Sequence, residues 1–231
     1  MPRTLIIIPA YNEQESLPGV IEDLRTNFPS GDILVVDDGS RDHTAGIARS
    51  AGVSVASLPF NVGIGGAMQT GFQYAERQGY DIALQFDGDG QHLAGEIGEL
   101  LAPLAEGKSD IVVGSRFLAA NNYRAPSLRK VGIRIFSTVL SKVLGMRVTD
   151  TTSGFRAANT KVIRFFSRAY PEDYPEVESL VLLHRAGLRI AEVPIRMQER
   201  TGGRSSITPV RSAYYMVKVL LAVFIDLLKK R

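Results

Sequence analysis

Two short acidic clusters carry most of the chemistry legible in this chain: Asp37-Asp38-Gly39-Ser40 and Asp87-Gly88-Asp89-Gly90-Gln91-His92. Each follows an apolar run, Ile33–Val36 and Ile82–Phe86, that reads as a buried strand. Carboxylates just beyond such strands lie at the rim of an open α/β sheet, where these folds bind ligands. In the second cluster Asp87 and Asp89 stand at i and i+2, and Gln91 adds a neutral oxygen two positions on. These hard donors suit Mg2+ or Mn2+, which keep several waters and share their remaining positions with phosphate oxygens. His92 reads as a structural neighbour rather than a ligand. Asp37 and Asp38 repel each other unless a cation or a group of donors faces them. One is therefore expected to read a base or ribose and the other to approach the metal, while Ser40 or Asp42 caps the following helix.

Further motifs frame these clusters. Pro9-Ala10-Tyr11-Asn12-Glu13 closes the strand Thr4–Ile8, with Pro9 expected to end the ladder. Tyr11 can then stack on a nucleobase, and Glu13 can accept from a ribose hydroxyl or a base N–H. Asn61-Val62-Gly63-Ile64-Gly65-Gly66 opens a helix, but Met68 stands where a dinucleotide fingerprint needs its third glycine. Gly107-Lys108-Ser109 ends like a P-loop, yet Ala102 occupies the leading glycine position. The glycines before the helix are therefore expected to serve close backbone packing. Arg116, in Gly114-Ser115-Arg116, is either a planar fork for a phosphate or a surface ion pair, and Arg129 on a basic helix face offers the same choice. Thr152-Ser153-Gly154-Phe155-Arg156 reads as a turn that could shape a sugar pocket but has no chemistry of its own. Arg200-Thr201-Gly202-Gly203-Arg204-Ser205-Ser206 is suited to folding over a diphosphate, or to linking into the last helix.

The elements that must position these residues alternate in type. Strands are expected at Thr4–Ile8, Ile33–Val36, Val53–Leu58, Ile82–Phe86, Ile111–Val113 and Arg189–Ile195. Helices are expected at Glu15–Phe28, Asp42–Ala51, Ile64–Gln78, Ile97–Ala105, Leu128–Leu144, Glu176–Ala186 and Pro209–Leu228. The alternation predicts an α/β fold: a Rossmann-like, mostly parallel sheet with helices on both faces, followed by amphipathic C-terminal helices.

Composition narrows the function. The 231 residues include no cysteine, which excludes a disulfide framework, a thiolate metal site and a cysteine nucleophile. A net charge of +3, from 27 basic and 24 acidic residues, gives no nucleic-acid footprint. The apolar stretch Leu5–Ile8 is too short for a signal peptide, and no run reaches the length of a spanning helix. The tail is basic and its last helix strongly apolar. Residues 207–231 are thus expected to meet a membrane interface or a small membrane-protein partner, or else the protein's own core or a second copy.

In order, the motifs from Pro9-Ala10-Tyr11-Asn12-Glu13 to Ser153-Gly154-Phe155 and Glu192-Val193-Pro194 resemble those of family 2 glycosyltransferases of the GT-A fold. The best-fitting branch is the polyprenyl-phosphate hexose synthases of the dolichyl-phosphate mannose synthase type, and the likeness spans residues 4–206. The resemblance implies a nucleotide-diphospho-sugar donor, a polyprenyl phosphate acceptor, a divalent metal, inversion at the anomeric carbon, and a site peripheral to the cytoplasmic face of a membrane. It makes Pro9, Tyr11, Glu13 and Asp37, with neighbouring Asp38, the nucleotide pocket. Asp87 lies near nucleotide and metal, and Asp89 and Gln91 are metal ligands. Arg116 and Arg129 match acceptor-phosphate residues, and Arg200 a diphosphate contact, so these three and Asp89 would carry catalysis. Residues 1–206 would form the catalytic domain. Ser206 departs from the pattern, since a lysine is usual there, with Arg204 as its candidate replacement. An acceptor hydroxyl on a glycan would instead require a base, for which Glu176 or Glu178 stands first. A non-catalytic sugar-nucleotide-binding subunit is the alternative from another class.

Overall fold

The computed structural model describes residues 2–118, 137–142, 144–172 and 175–198. Its elements are β1 Thr4–Ala10, α1 Leu17–Asn27, β2 Gly31–Asp37, α2 Thr44–Ser50, β3 Ser54–Ser57, α3 Gly63–Arg77, β4 Ile82–Gln85, α4 Ile97–Ala105, β5 Ile111–Ser115, β6 Arg156–Asn159, α5 Thr160–Arg168, α6 Pro175–Arg185 and β7 Ile190–Pro194. The expected strands and helices that fall in the described residues all occur, with ends shifted by a residue or two. Of the helix expected over Leu128–Leu144, residues 137–142 and 144 are described and helical. The helix expected at Pro209–Leu228 lies outside the described residues, as do Arg129 and Arg200.

The strands form one sheet in the order β3-β2-β1-β4-β6-β5-β7. Alternation along β1 explains the helices on both faces. Ile6 and Ile8 join Val35 and Leu84 under α1 and α4, while Leu5 and Ile7 join Leu34 and Val36 under α3 and α5. A strand buried on both sides reads as a continuous apolar run, as Thr4–Ile8 does.

One strand and one helix depart from expectation. Arg156, expected in a turn, begins β6, which runs antiparallel to both β4 and β5 and separates them. Its core residues are Ala157 and Ala158, one on each face of the sheet. Alanine has low strand propensity, so these residues form a strand because of the gap they fill. Asn159 then accepts from the backbone N–H groups of Lys161 and Val162, capping α5. Among the described residues no helix is long and apolar enough to cross a membrane.

Candidate active site

The site begins where β1 and β4 part. β1 pairs with β2 as far as Ala10–Asp37, but with β4 only to Ile7–Gln85. The Ile7 carbonyl still accepts from Phe86 N–H at 3.0 Å, and that of Ala10 from Asp38 N–H at 2.9 Å on the other side. The next β1 donor facing β4 is thus residue 9, a proline with no N–H. Pro9 does not end the strand, as expected from sequence; it ends one of its two ladders. A crevice opens there, at the point where β2 and β3 lie to one side of β1 and β4 to the other.

The loops after β1 and β2 are stitched together at this rim. Asn12, at φ 57°, takes the left-handed conformation that asparagine tolerates better than most residues. Its N–H donates to Ser40 Oγ and its Oδ1 accepts from Arg41 N–H. Tyr11 is exposed and Asp37 buried, with Asp37 Oδ1 accepting from Ser40 N–H at 3.1 Å. Ser16 Oγ lies 2.8 Å from Glu13 Oε2 and 2.7 Å from the Gly88 carbonyl, so Glu13 sits against the Asp87–Gln91 turn.

Asp38 is placed differently from its neighbour. Its two oxygens accept from the N–H groups of Val62 and Gly63, at 2.7 and 2.9 Å. Burial raises its pKa, the two N–H groups oppose this, Asp37 adds to it, and the net shift is upward. Its carboxylate therefore braces the start of α3. The glycines nearby pack closely: a Cβ on Gly65 would come within 2.4 Å of the Pro171 carbonyl.

Asp87 follows the buried Phe86 and keeps 36% of its side chain exposed. His92 Nε2 lies 3.0 Å from its Oδ2, and Gln85 Nε2 donates to its Oδ1 at 3.3 Å. A carboxylate at this position accepts, which fixes the ring proton on Nε2. The imidazole is buried and stacks on Phe155 at 4.7 Å between centroids, so it braces Asp87. Burial pushes the Asp87 pKa up, but His92, Gln85 and Arg116 together outweigh it and hold the carboxyl below its usual range. Two positions on, Asp89 Oδ1 accepts from Gln91 N–H at 3.0 Å. Gln198 pins this turn, its N–H on the Gln91 carbonyl and its side chain on that of Gly90.

Asp87, Asp89 and Gln91 offer oxygen donors, and His92 is committed to Asp87. Among the described residues no three His, Cys, Asp or Glu side chains converge into a closed cage. This donor set fits a hard divalent cation held by one or two protein oxygens and completed by phosphate and water.

Arg116 does not form the surface ion pair that sequence offered as one alternative. It is buried, and its Nε and one terminal nitrogen donate to the two oxygens of Asp150 at 2.6 and 2.7 Å. The same terminal nitrogen donates to Thr152 Oγ1 at 2.8 Å. Its fork thus faces a buried carboxylate, and a surface ion pair is replaced by an interior one. Glu192 accepts from the N–H groups of Thr149 and Asp150, and Ser115 Oγ lies 2.6 Å from Thr149 Oγ1. Three sequence motifs, around Arg116, Gly154 and Glu192, thereby close into one scaffold.

Sequence reasoning missed Gly154, Arg156 and Asp150. A Cβ on Gly154 would lie 2.7 Å from Asp87 Oδ2, so glycine is what lets the turn touch the carboxylate. Arg156 is buried and donates to the Ser153 carbonyl, Ser179 Oγ and the Glu176 carbonyl. It holds the first turn of α6 beside the crevice. Burial raises the Glu176 pKa, Arg156 opposes this, Asp87 adds to it, and the net shift is upward. An arginine directly after the turn glycine and an aromatic was the available signal; its antiparallel placement was not.

A Rossmann-like sheet with an acidic turn at its switch point is an architecture that binds ligands outside the carboxyl ends of its strands. The chain belongs to the glycosyl transferase family 2, whose model matches residues 5–167. It is a glycosyltransferase with a GT-A-like sheet. It is 33% identical over 227 residues to the polyprenol monophosphomannose synthase of Mycolicibacterium smegmatis, covering 94% of this chain and 85% of that one. It is 35% identical over 215 residues to the undecaprenyl-phosphate mannosyltransferase of Micrococcus luteus, covering 89% and 88%. Among solved structures it resembles glucosyl-3-phosphoglycerate synthase from Mycobacterium tuberculosis in complex with Mn2+, uridine diphosphate and phosphoglyceric acid. There the TM-score is 0.72 at 21% identity, covering 97% of this chain and 78% of that one.

Proposed function

We propose that this enzyme transfers a hexose-type sugar, with inversion, from a nucleoside diphosphate to a polyprenyl phosphate at a membrane surface. The observation that carries the reading is the Asp87–Gln91 turn at the crevice between β1 and β4, in a chain whose full-length relatives are named for polyprenyl phosphates. Tyr11, Pro9, Glu13 and Asp37 line the side that takes the nucleoside. Asp89 and Gln91 would hold Mg2+ or Mn2+. When bound, the ion neutralises charge on the departing diphosphate. Asp87, fixed by His92 and Gln85, keeps its charge at neutral pH and holds the turn in register with Glu13. Arg116 supplies positive field at Asp87 and fixes the 150–152 turn. Arg200, two positions beyond Gln198, is the proposed diphosphate contact, and Arg129 the proposed acceptor-phosphate contact. The basic, apolar segment 207–231 is proposed to meet the membrane or a small membrane-protein partner.

The acceptor needs little activation. A phosphate monoester has a second pKa of about 6, so the nucleophile is mostly dianionic at neutral pH. Orientation, rather than a strong base, is what the protein must supply. Incubation with labelled nucleotide sugars, polyprenyl phosphate and Mn2+ or Mg2+ tests this. The expected result is an organic-extractable, metal-dependent product that falls by at least about a hundredfold in Asp89→Asn. No such product with any common donor, or undiminished product from the variant, would refute the reading.

A further inference from the structure

The large hydrophobic side chains that stand exposed among the described residues are Tyr11, Phe60, Val62, Ile64 and Leu118. All lie at one edge of the sheet. Tyr11 follows β1, residues 60–64 follow β3 and open α3, and Leu118 follows β5. β1 and β3 are parallel through β2, and β5 points the same way because β6 is antiparallel to both β4 and β5. This is the edge that carries the crevice. Scattered exposed apolar residues are ordinary, but their confinement to one edge marks a contact surface.

Phe60 is the extreme case at 66% exposed, and its loop is held rather than loose. The loop backbone packs on Gly39, where a Cβ would meet the Phe60 carbonyl carbon at 2.7 Å. The buried Asp38 takes both the Val62 and Gly63 N–H groups. The fold thus fixes an apolar tip that the crevice chemistry does not use.

The acceptor identifies what covers this tip. A polyprenyl chain stays in the bilayer while its phosphate reaches the crevice, so the crevice edge must face lipid. Arg41 and His43, both exposed on the neighbouring β2–α2 loop, suit an anionic surface. Resting on the polyprenyl phosphate reading, we propose that the loop Pro59–Ile64 seats in the headgroup–acyl boundary of a bilayer, with Phe60 as its principal anchor and Leu118 at the margin, while Tyr11 is left to the nucleoside.

The chain has no tryptophan, so Phe60→Trp in the full chain gives a single reporter. With vesicles of phosphatidylcholine and phosphatidylglycerol carrying brominated acyl chains, its emission should shift to the blue and be quenched. Lys108→Trp, 75% exposed and preceding β5 at the opposite edge, should not be quenched. Phe60→Ser with Ile64→Ser should weaken vesicle partition roughly ten- to a hundredfold. Transfer to a short-chain polyprenyl phosphate dispersed in detergent should persist in that variant. Unquenched emission from Phe60→Trp, equal quenching of both reporters, or unchanged partition of the serine variant would overturn the proposal. So would a lipid-free blue shift that grows with protein concentration, which would assign the tip to a second copy. The quenching assay contains no nucleotide. Failure of the transferase reading would show separately, as absence of product from the wild-type protein in detergent.

Discussion

Replacing Gly154 by alanine tests how tightly the turn before β6 is fitted to the site. The added Cβ would lie 2.7 and 2.8 Å from the Asp87 oxygens and 2.8 Å from Gln85 Nε2, whereas ordinary contact begins at 3.4 Å. The carboxylate, the amide or the turn must therefore yield by about 0.7 Å. None can do so freely. Asp87 is bonded to His92, whose ring is packed on Phe155, and Gln85 is buried within the sheet. Gly154 is not among the glycines at positive φ, so alanine suits the backbone and the cost is one of contact alone. Overpacking of this kind destabilises by about 1–3 kcal/mol. A displacement approaching 1 Å at a reacting site costs about a hundredfold, so turnover should fall roughly ten- to a hundredfold. Steady-state kinetics of sugar transfer, with urea unfolding of the same samples, separates the two effects. Gly98→Ala in α4, with nothing within 4 Å of the new methyl, is the control and should keep full turnover while gaining about 0.5–1 kcal/mol. Wild-type turnover in Gly154→Ala, or an equal loss in the control, would refute the reasoning.

Asp150→Asn leaves the Arg116 guanidinium buried without its bidentate carboxylate. Urea unfolding should show a loss of about 3–5 kcal/mol, and a loss below about 1 kcal/mol would mean the pair contributes little. Glu176→Gln should lower kcat less than about tenfold, because a phosphate acceptor needs no base; a loss of a hundredfold or more would move the acceptor class toward hydroxyls. Asp110, at the opposite edge, is held well below the usual carboxylate range chiefly by Arg189, with Asn159 and Lys161 assisting against burial. A depressed pKa gives stability that is complete above the ordinary carboxylate value and is lost as pH falls toward the folded-state value. Unfolding free energies from neutral to acidic pH should therefore fall more steeply for the wild type than for Asp110→Asn, and parallel curves would count against this.

The parallel half of the fold was legible because its strands are buried on both faces. Thr4–Ile8 and Ile33–Val36 are unbroken β-branched and leucine runs, and each ends in the residues that reach the crevice. β6 was not legible because Ala157 and Ala158 carry neither period nor propensity. α5 was closer to reach: Asn159 as a cap, then Val162, Ile163 and Phe166 at helical spacing, is a readable start. At the site, the oxygen-donor turn could be read from spacing. The fates of Asp38 and Arg116 could not, since each is decided by a partner far away in the chain.

That difference gives a physical criterion for sorting acidic motifs in this fold. Asp38 meets two backbone N–H groups with its two oxygens, and Glu192 meets those of Thr149 and Asp150. A carboxylate so engaged compensates for its burial and orders a loop. Asp87 has side-chain partners and an open flank, and Asp89 sits in a turn made with its own neighbour Gln91. The turn before the antiparallel β6 adds to this rim. β6 starts at the crevice edge, where Arg156 pairs with Gln85, and runs away from it, so the segment that precedes it sets Gly154 against Asp87 and Asp150 against Arg116. Acidic residues that look alike in sequence thus divide by the partners the fold supplies: backbone N–H groups for Asp38 and Glu192, side chains for Asp87.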